Sequence, residues 1–202
     1  MPEQNLKSLP NLLKSIIAPA FSNSSDIITN SDRMREKEWF NIISEKDLEY
    51  LERCVALAET ALNEGDEPFG SILVSKEGAI LFEDYNHVSG GDSTQHPEFA
   101  IARWAAENLS PEDRAQTTVY TSGEHCPMCS AAHAWVGLGR IVYASSSNQL
   151  QAWQKEFGVE PSPVKDLAIE DVILDANVDG PAQELAERVK QLHVKLHQKK
   201  TH

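Results

Sequence analysis

A three-layer α/β/α sandwich on a mixed five-stranded sheet is the fold this sequence predicts. Two observations carry it: five short strand-like runs, and helix-like segments with one apolar face set between the later ones. The first two runs lie close enough to pair as an antiparallel hairpin. The later ones are separated by helices, so they lie mainly parallel, with helices covering both faces of the sheet.

In chain order, residues 1–43 are rich in Ser, Asn and Pro, with "FSNSSDIITNSD" the clearest loop-like stretch, and read as an N-terminal extension. Within it, Leu9, Leu12, Leu13, Ile16 and Ile17 fit a short amphipathic helix. "LLKSIIAPAF" is interrupted by Lys14 and lacks the basic start of a secretory signal. The domain proper is expected over residues 44–202. Ser44 caps its first helix, Asp47 takes the capping-box position, Leu48, Leu51, Val55, Ala58 and Leu62 follow at helical spacing, and Gly65 ends it.

"FGSILVS" and "KEGAILFEDY" read as the hairpin, turning at Lys76 to Gly78. The loop "NHVSGGDSTQ" leads to a helix from Pro97 to about Asn108, "SPEDR" reads as a capped, solvated turn, and "TTVYTS" as a strand. A helix from Pro127 to about Val136 and the strand "RIVYAS" follow. "LAIEDVILDA" is read as the last strand, and Leu185, Val189, Leu192 and Leu196 line one face of a final helix.

The 18 Lys and Arg against 31 Asp and Glu leave a formal charge of −13, the wrong sign for affinity built on neutralising phosphates, so large nucleic-acid partners are disfavoured. No apolar stretch reaches the length of about 18 residues that a membrane span needs. The 3 cysteines cannot all pair within one chain, and two of them stand in a Cys-x-x-C spacing suited to metal or redox chemistry. A reducing, cytoplasmic compartment is expected.

His96 and Glu98 stand at the start of one helix, and Cys126 and Cys129 at the start of another. Parallel topology brings both starts to the carboxyl edge of the sheet, where open α/β sheets bind ligands. One imidazole and two thiolates suit Zn²⁺, and a set of three leaves the fourth position to water, as in catalytic rather than structural sites. His87 is the alternative fourth ligand. Glu98, two residues from His96, is placed to take a proton from the water and return it to a substrate atom. Cys54, on a core-facing helical turn, reads as a small buried residue.

His96-Pro97-Glu98 followed by Cys126-Pro127-Met128-Cys129 resembles the H-x-E and C-x-x-C signature of the zinc-dependent cytidine and purine deaminase superfamily. The resemblance runs from about Ser44 to Ala144. "PFGSILV" and "EHCPMC" look most like bacterial guanine deaminases and tRNA adenosine deaminases. It implies a cytidine deaminase-like fold and one zinc per subunit on His96, Cys126 and Cys129. It implies an aminohydrolase in which zinc-bound hydroxide attacks an amino-bearing ring carbon and ammonia leaves, with Glu98 shuttling protons. It also implies substrate contacts from Asn86 and from the backbone carbonyl of Glu124, and a homodimer.

Two positions depart from the resemblance. His125 stands where the family usually has proline, and is expected partly exposed near the metal, touching substrate or serving as an ordinary loop residue. Pro97 has no N–H to offer where relatives use one to bind the base, so the preferred ring is expected to differ.

Trp104, Trp135, Trp153, Phe69 and Phe82 read first as core, with Phe69 and Trp153 kept as pocket candidates. His133 reads as a packing or interface residue, and His193 and His197 as a solvated face. The expected activity is hydrolytic deamination of a free nucleobase such as guanine, a nucleoside, or a pterin- or triazine-like ring. A tRNA adenosine deaminase is the alternative, and a non-catalytic zinc-stabilised binding module the alternative from another class.

Overall fold

The structure, a computed structural model, describes residues 43–200. Apart from Ile43, the expected N-terminal extension and its amphipathic helix lie outside the described residues. The helices are α1 (Glu45–Glu64), α2 (Pro97–Asn108), α3 (Pro111–Arg114), α4 (Pro127–Val136), α5 (Ser147–Phe157), α6 (Ile169–Val172) and α7 (Gln183–Lys200). The strands are β1 (Gly70–Val74), β2 (Ile80–Tyr85), β3 (Thr118–Gly123), β4 (Arg140–Ser145) and β5 (Val178–Asp179).

Helix α1 starts on the expected capping box: the Ser44 hydroxyl accepts the Asp47 N–H at 3.1 Å, and the Asp47 carboxylate accepts the Ser44 N–H at 2.9 Å. Gly65, at φ 100°, ends it. Asp47 is itself buried and also accepts bonds from Tyr120 Oη at 2.7 Å and Arg140 at 2.8 Å, so the cap is tied to the sheet.

The strand order is β2-β1-β3-β4-β5. β1 pairs antiparallel with both β2 and β3, whereas β3, β4 and β5 run parallel. The mixed five-stranded sheet is therefore as expected, and β1, inside it, is the one strand running against the others.

Helices α1 and α7 pack on one face of the sheet and α2 on the other, with α4 beside α2, which makes three layers. Side chains alternate across each strand. Ile72 and Val74 of β1 and Tyr120 of β3 enter the core under α1 and α7, while Leu73 and Val119 join Ile101, Ala102 and Ala105 under α2. The same alternation sends Ser71 and Thr121, paired partners across the β1–β3 ladder, to the α2 face. Gly70 lets β1 cross α1 closely: a Cβ there would lie 2.5 Å from the Leu57 Cβ and 2.6 Å from the Cys54 carbonyl oxygen.

Three expectations need correction. "LAIEDVILDA" is not a strand: its Ile169–Val172 portion forms α6, because the Glu124 carboxylate accepts the Ile169 N–H and starts a helical turn there. The last strand is Val178–Asp179, against Ile141 and Val142 of β4. Trp135, expected in the core, is 88% exposed on the outer face of α4. His193 is buried, not solvated, because the packed stripe of α7 is wide enough to take it beside Val189 and Leu192.

Helix α5 has no counterpart among the elements expected from the sequence. It is mostly polar, but Ser146 and Gln149 close a capping box and Leu150, Trp153 and Phe157 form its inward stripe. The "SPEDR" turn forms the short α3, capped by Ser110.

Candidate metal and catalytic centre

Pro97 and Pro127 are the first residues of α2 and α4. A helix leaves its first N–H groups unpaired, so proline loses nothing there and its fixed φ favours the start. His96 and Cys126 are the N-caps of these helices, and Cys129 lies in the first turn of α4. β3 ends at Gly123, so its carboxyl end delivers Cys126 beside His96.

His96 Nδ1, Cys126 Sγ and Cys129 Sγ are mutually 3.6 Å apart. A disulfide would bring the sulfurs to about 2.05 Å. Tetrahedral Zn²⁺, with bonds of about 2.3 Å to sulfur and about 2.05 Å to nitrogen, spaces its ligands by roughly 3.5–3.8 Å. The triad therefore fits zinc in donor type and in separation, and three ligands leave a fourth position open. Among the described residues these three are the group gathered tightly enough to hold a metal. His87 is not with them: it is exposed, 3.0 Å from Asp84, with its ring against Tyr85.

Contact with the Cys129 sulfur pulls the Cys126 thiol down to about 4 against the effect of burial, and His96 adds to the shift. Two helix N-termini also favour negative charge here. Cys54, by contrast, is fully buried under β1, and desolvation pushes its thiol well up, as suits an inert core residue.

Glu98 is buried in the first turn of α2, beside Cys129. Its Oε1 lies 2.7 Å from Thr121 Oγ1 and 2.8 Å from Ser71 Oγ, both placed for donation by the strand alternation. Burial pushes its pKa up, and the Thr121 hydroxyl, the His96 charge and the Ser71 hydroxyl oppose this. With Oε1 pinned to the sheet, the carboxyl group is held in one orientation.

Sequence reasoning missed Ser71 and Thr121. The signal that would have found them is polar residues at buried strand positions on the face that carries α2.

Asn86 is fully buried; its Oδ1 accepts the Val88 N–H at 3.1 Å, and its Nδ2 has no hydrogen-bond partner among the described residues. Phe69 is half-buried, its carbonyl accepting the Asn86 N–H at 3.0 Å. Trp153 is buried on α5. His125, expected partly exposed, is 1% exposed, and its ring packs edge-on against His133 at 5.5 Å. Desolvation holds its pKa well below the ordinary histidine value. The Glu124 side chain, not considered from sequence, accepts the N–H and hydroxyl of Ser147, both at 2.7 Å, and the Ile169 N–H at 2.9 Å.

The chain is similar to known proteins in sequence and in fold. The Schizosaccharomyces pombe protein named "Probable cytosine deaminase" is 36% identical over 108 residues, covering 54% of this chain and 65% of that one. The chain thus spans just under two thirds of that relative. Guanine deaminase of Bacillus subtilis is 31% identical over 137 residues, 67% of this chain and 78% of that one. The solved guanine deaminase from Nitrosomonas europaea shares the fold, with a TM-score of 0.57 at 17% identity, covering 78% of this chain and 86% of that one. Residues 44–145, which hold His96, Glu98, Cys126 and Cys129, match the family described as "Cytidine and deoxycytidylate deaminase zinc-binding region", and the chain belongs to that family.

Proposed function

We propose that this protein is a zinc-dependent aminohydrolase that deaminates an amino-substituted heterocycle, namely a free nucleobase, a nucleoside or a related ring, with guanine-like purines the first choice. The observation that carries the reading is Glu98: a buried carboxyl group beside a three-ligand metal site, pinned on one oxygen, has no structural role that explains its burial. Bound at His96, Cys126 and Cys129, Zn²⁺ supplies Lewis acidity that brings the ionisation of water near neutral pH.

The chain's own residues do the rest. Glu98 takes a proton from water as the water oxygen bonds to the ring carbon. It then delivers that proton to the exocyclic nitrogen, so that the C–N bond breaks and ammonia leaves. Asn86 Nδ2, buried and unpaired among the described residues, donates to the ring or its sugar. Phe69 and Trp153 bound the ring, and the Glu124 carbonyl accepts from the amine. Pro97 withholds a backbone donor from the same site. His125 supports the loop from beneath.

The acidic balance of −13 favours small substrates over tRNA. The domain over residues 44–202 carries the activity. A homodimer is supported by the outer face of α4: "PMCSAAHAWV" contains no charged residue and exposes Trp135. A cytoplasmic setting is supported by thiols that must stay reduced to bind metal.

The test is ammonia release from purines, pyrimidines, pterins, their nucleosides and a stem-loop RNA, with wild-type and Glu98→Ala protein. The variant is expected to keep its zinc and fold and to lose at least a thousandfold in turnover. Activity surviving in it would sink the reading, and release from the RNA alone would favour a tRNA adenosine deaminase.

A further inference from the structure

Helices α5 and α7 and the segment before β1 enclose a cavity of about 60 Å³ lined by Phe69, Trp153, Phe157 and His193, with Glu67 and Gln154 also on its wall. One water needs about 10–15 Å³ of such space, so the cavity takes one edge of a planar ring or its substituent and has no room for a sugar phosphate.

His193 gives the cavity chemistry. Its ring lies edge-on to Phe69 at 5.2 Å and tilted to Trp153 at 6.0 Å. Nε2 is buried and has no hydrogen-bond partner among the described residues. Buried polar groups are almost always paired, so an unpaired imidazole nitrogen on a cavity wall points to a ligand that completes it. Burial holds the His193 pKa down to about 4, so the ring is neutral at neutral pH.

Phe69 links the cavity to the end of β3, from which two of the metal ligands follow. A Cβ at Gly123 would meet the Phe69 ring at 3.0 Å, and Gly123 is three residues before the ligand Cys126. The Phe69 backbone holds Asn86, and Glu67 is near enough to raise the pKa of His96. Among the described residues no Lys or Arg lines the cavity, and Glu67 repels anions.

We propose that this cavity is the specificity subsite of the reaction. It takes the far edge of an uncharged, unphosphorylated planar heterocycle bounded by Phe69 and Trp153, with His193 Nε2 hydrogen-bonding an edge group. The assignment rests on the deaminase reading of the neighbouring centre.

Zinc-loaded Glu98→Gln protein, unable to turn over, is titrated calorimetrically with guanine, cytosine, adenine, their nucleosides and their 5′-monophosphates. The tightest binder is expected to carry no phosphate. Adding His193→Phe weakens it at least tenfold, and His193→Gln, which keeps an amide at that reach, stays within threefold of the parent. A His193→Phe effect under twofold for every probe, a monophosphate as the tightest ligand, or no binding at all overturns the proposal.

The ¹⁵N resonance of His193 Nε2 gives a second measurement that needs no substitution at 193. It moves when the tightest probe is added, and an unmoved resonance counts against the subsite. Wild-type ammonia release separates the two readings. His193-dependent binding without ammonia leaves the subsite and removes the deaminase, whereas ammonia release indifferent to His193 does the reverse.

Discussion

Ser71 and Thr121 face each other across the antiparallel β1–β3 ladder with hydroxyl oxygens 2.9 Å apart, and both reach the same carboxylate oxygen of Glu98. Hydrogen bonds to a charged group are worth about 1.5–3 kcal/mol. Thr121→Val, close in shape, is therefore expected to lower kcat by roughly 10- to 100-fold with a small change in KM and unchanged zinc content. Donation to the carboxylate favours its charged form, so losing it raises the Glu98 pKa. The acid limb of the kcat/KM profile then moves to higher pH, and Thr121→Ser restores both. A variant with wild-type kcat and an unmoved acid limb would show that the pair is only packing.

Asp47 predicts a different pH response, in stability. Burial pushes its pKa up, but Arg140, Tyr120 and Ser44 outweigh this and hold it well below the usual carboxylate range. A depressed folded-state pKa stabilises the fold above the unfolded value of about 3.9, and that contribution is lost as pH falls below it. Asp47→Asn leaves Arg140 with Asp179 as its remaining carboxylate partner and is expected to cost about 2 kcal/mol at neutral pH, with the gap between the two proteins narrowing as pH falls below about 4. Urea unfolding across that range measures it. A constant gap at all pH values would mean that the Asp47 charge contributes nothing.

The parts of this architecture legible in the sequence are those set by local chemistry. Ser44, Asp47 and Gly65 mark the ends of α1, and Pro97 and Pro127 mark the starts of the two helices that carry the metal ligands. Ser71 and Thr121 were not legible, because their importance depends on which strands are neighbours, and that β1 lies beside β3 is a non-local fact. The placement of β5 failed for the same reason: the β-branched residues of "LAIEDVILDA" favour a strand, but a carboxylate 45 residues away takes the Ile169 N–H. His193 and Trp135 exchanged their expected environments because helical periodicity gives the centre of an apolar stripe, not its width.

Glu124 is that distant carboxylate, and it serves two helices. Its Oε2 takes the N–H and hydroxyl of Ser147 at the start of α5, and its Oε1 takes the Ile169 N–H at the start of α6. A charged cap at a helix N-terminus contributes about 1 kcal/mol through the bond and up to about 1 kcal/mol through the dipole. Glu124→Gln removes the charge from both starts and leaves one oxygen to accept where two did, so a loss of about 2 kcal/mol in global stability is expected. The loss is not uniform. Amide exchange should speed up first in α5 and α6, while α1 and the sheet keep their protection. The zinc ligands do not use this side chain, so metal content should hold. Helix α5 carries Trp153, one wall of the cavity beside the metal centre, so the variant is expected to bind substrate at least threefold more weakly with kcat little changed. Unchanged exchange in α5 and α6 would mean that Glu124 does not tie these two helices to the end of β3.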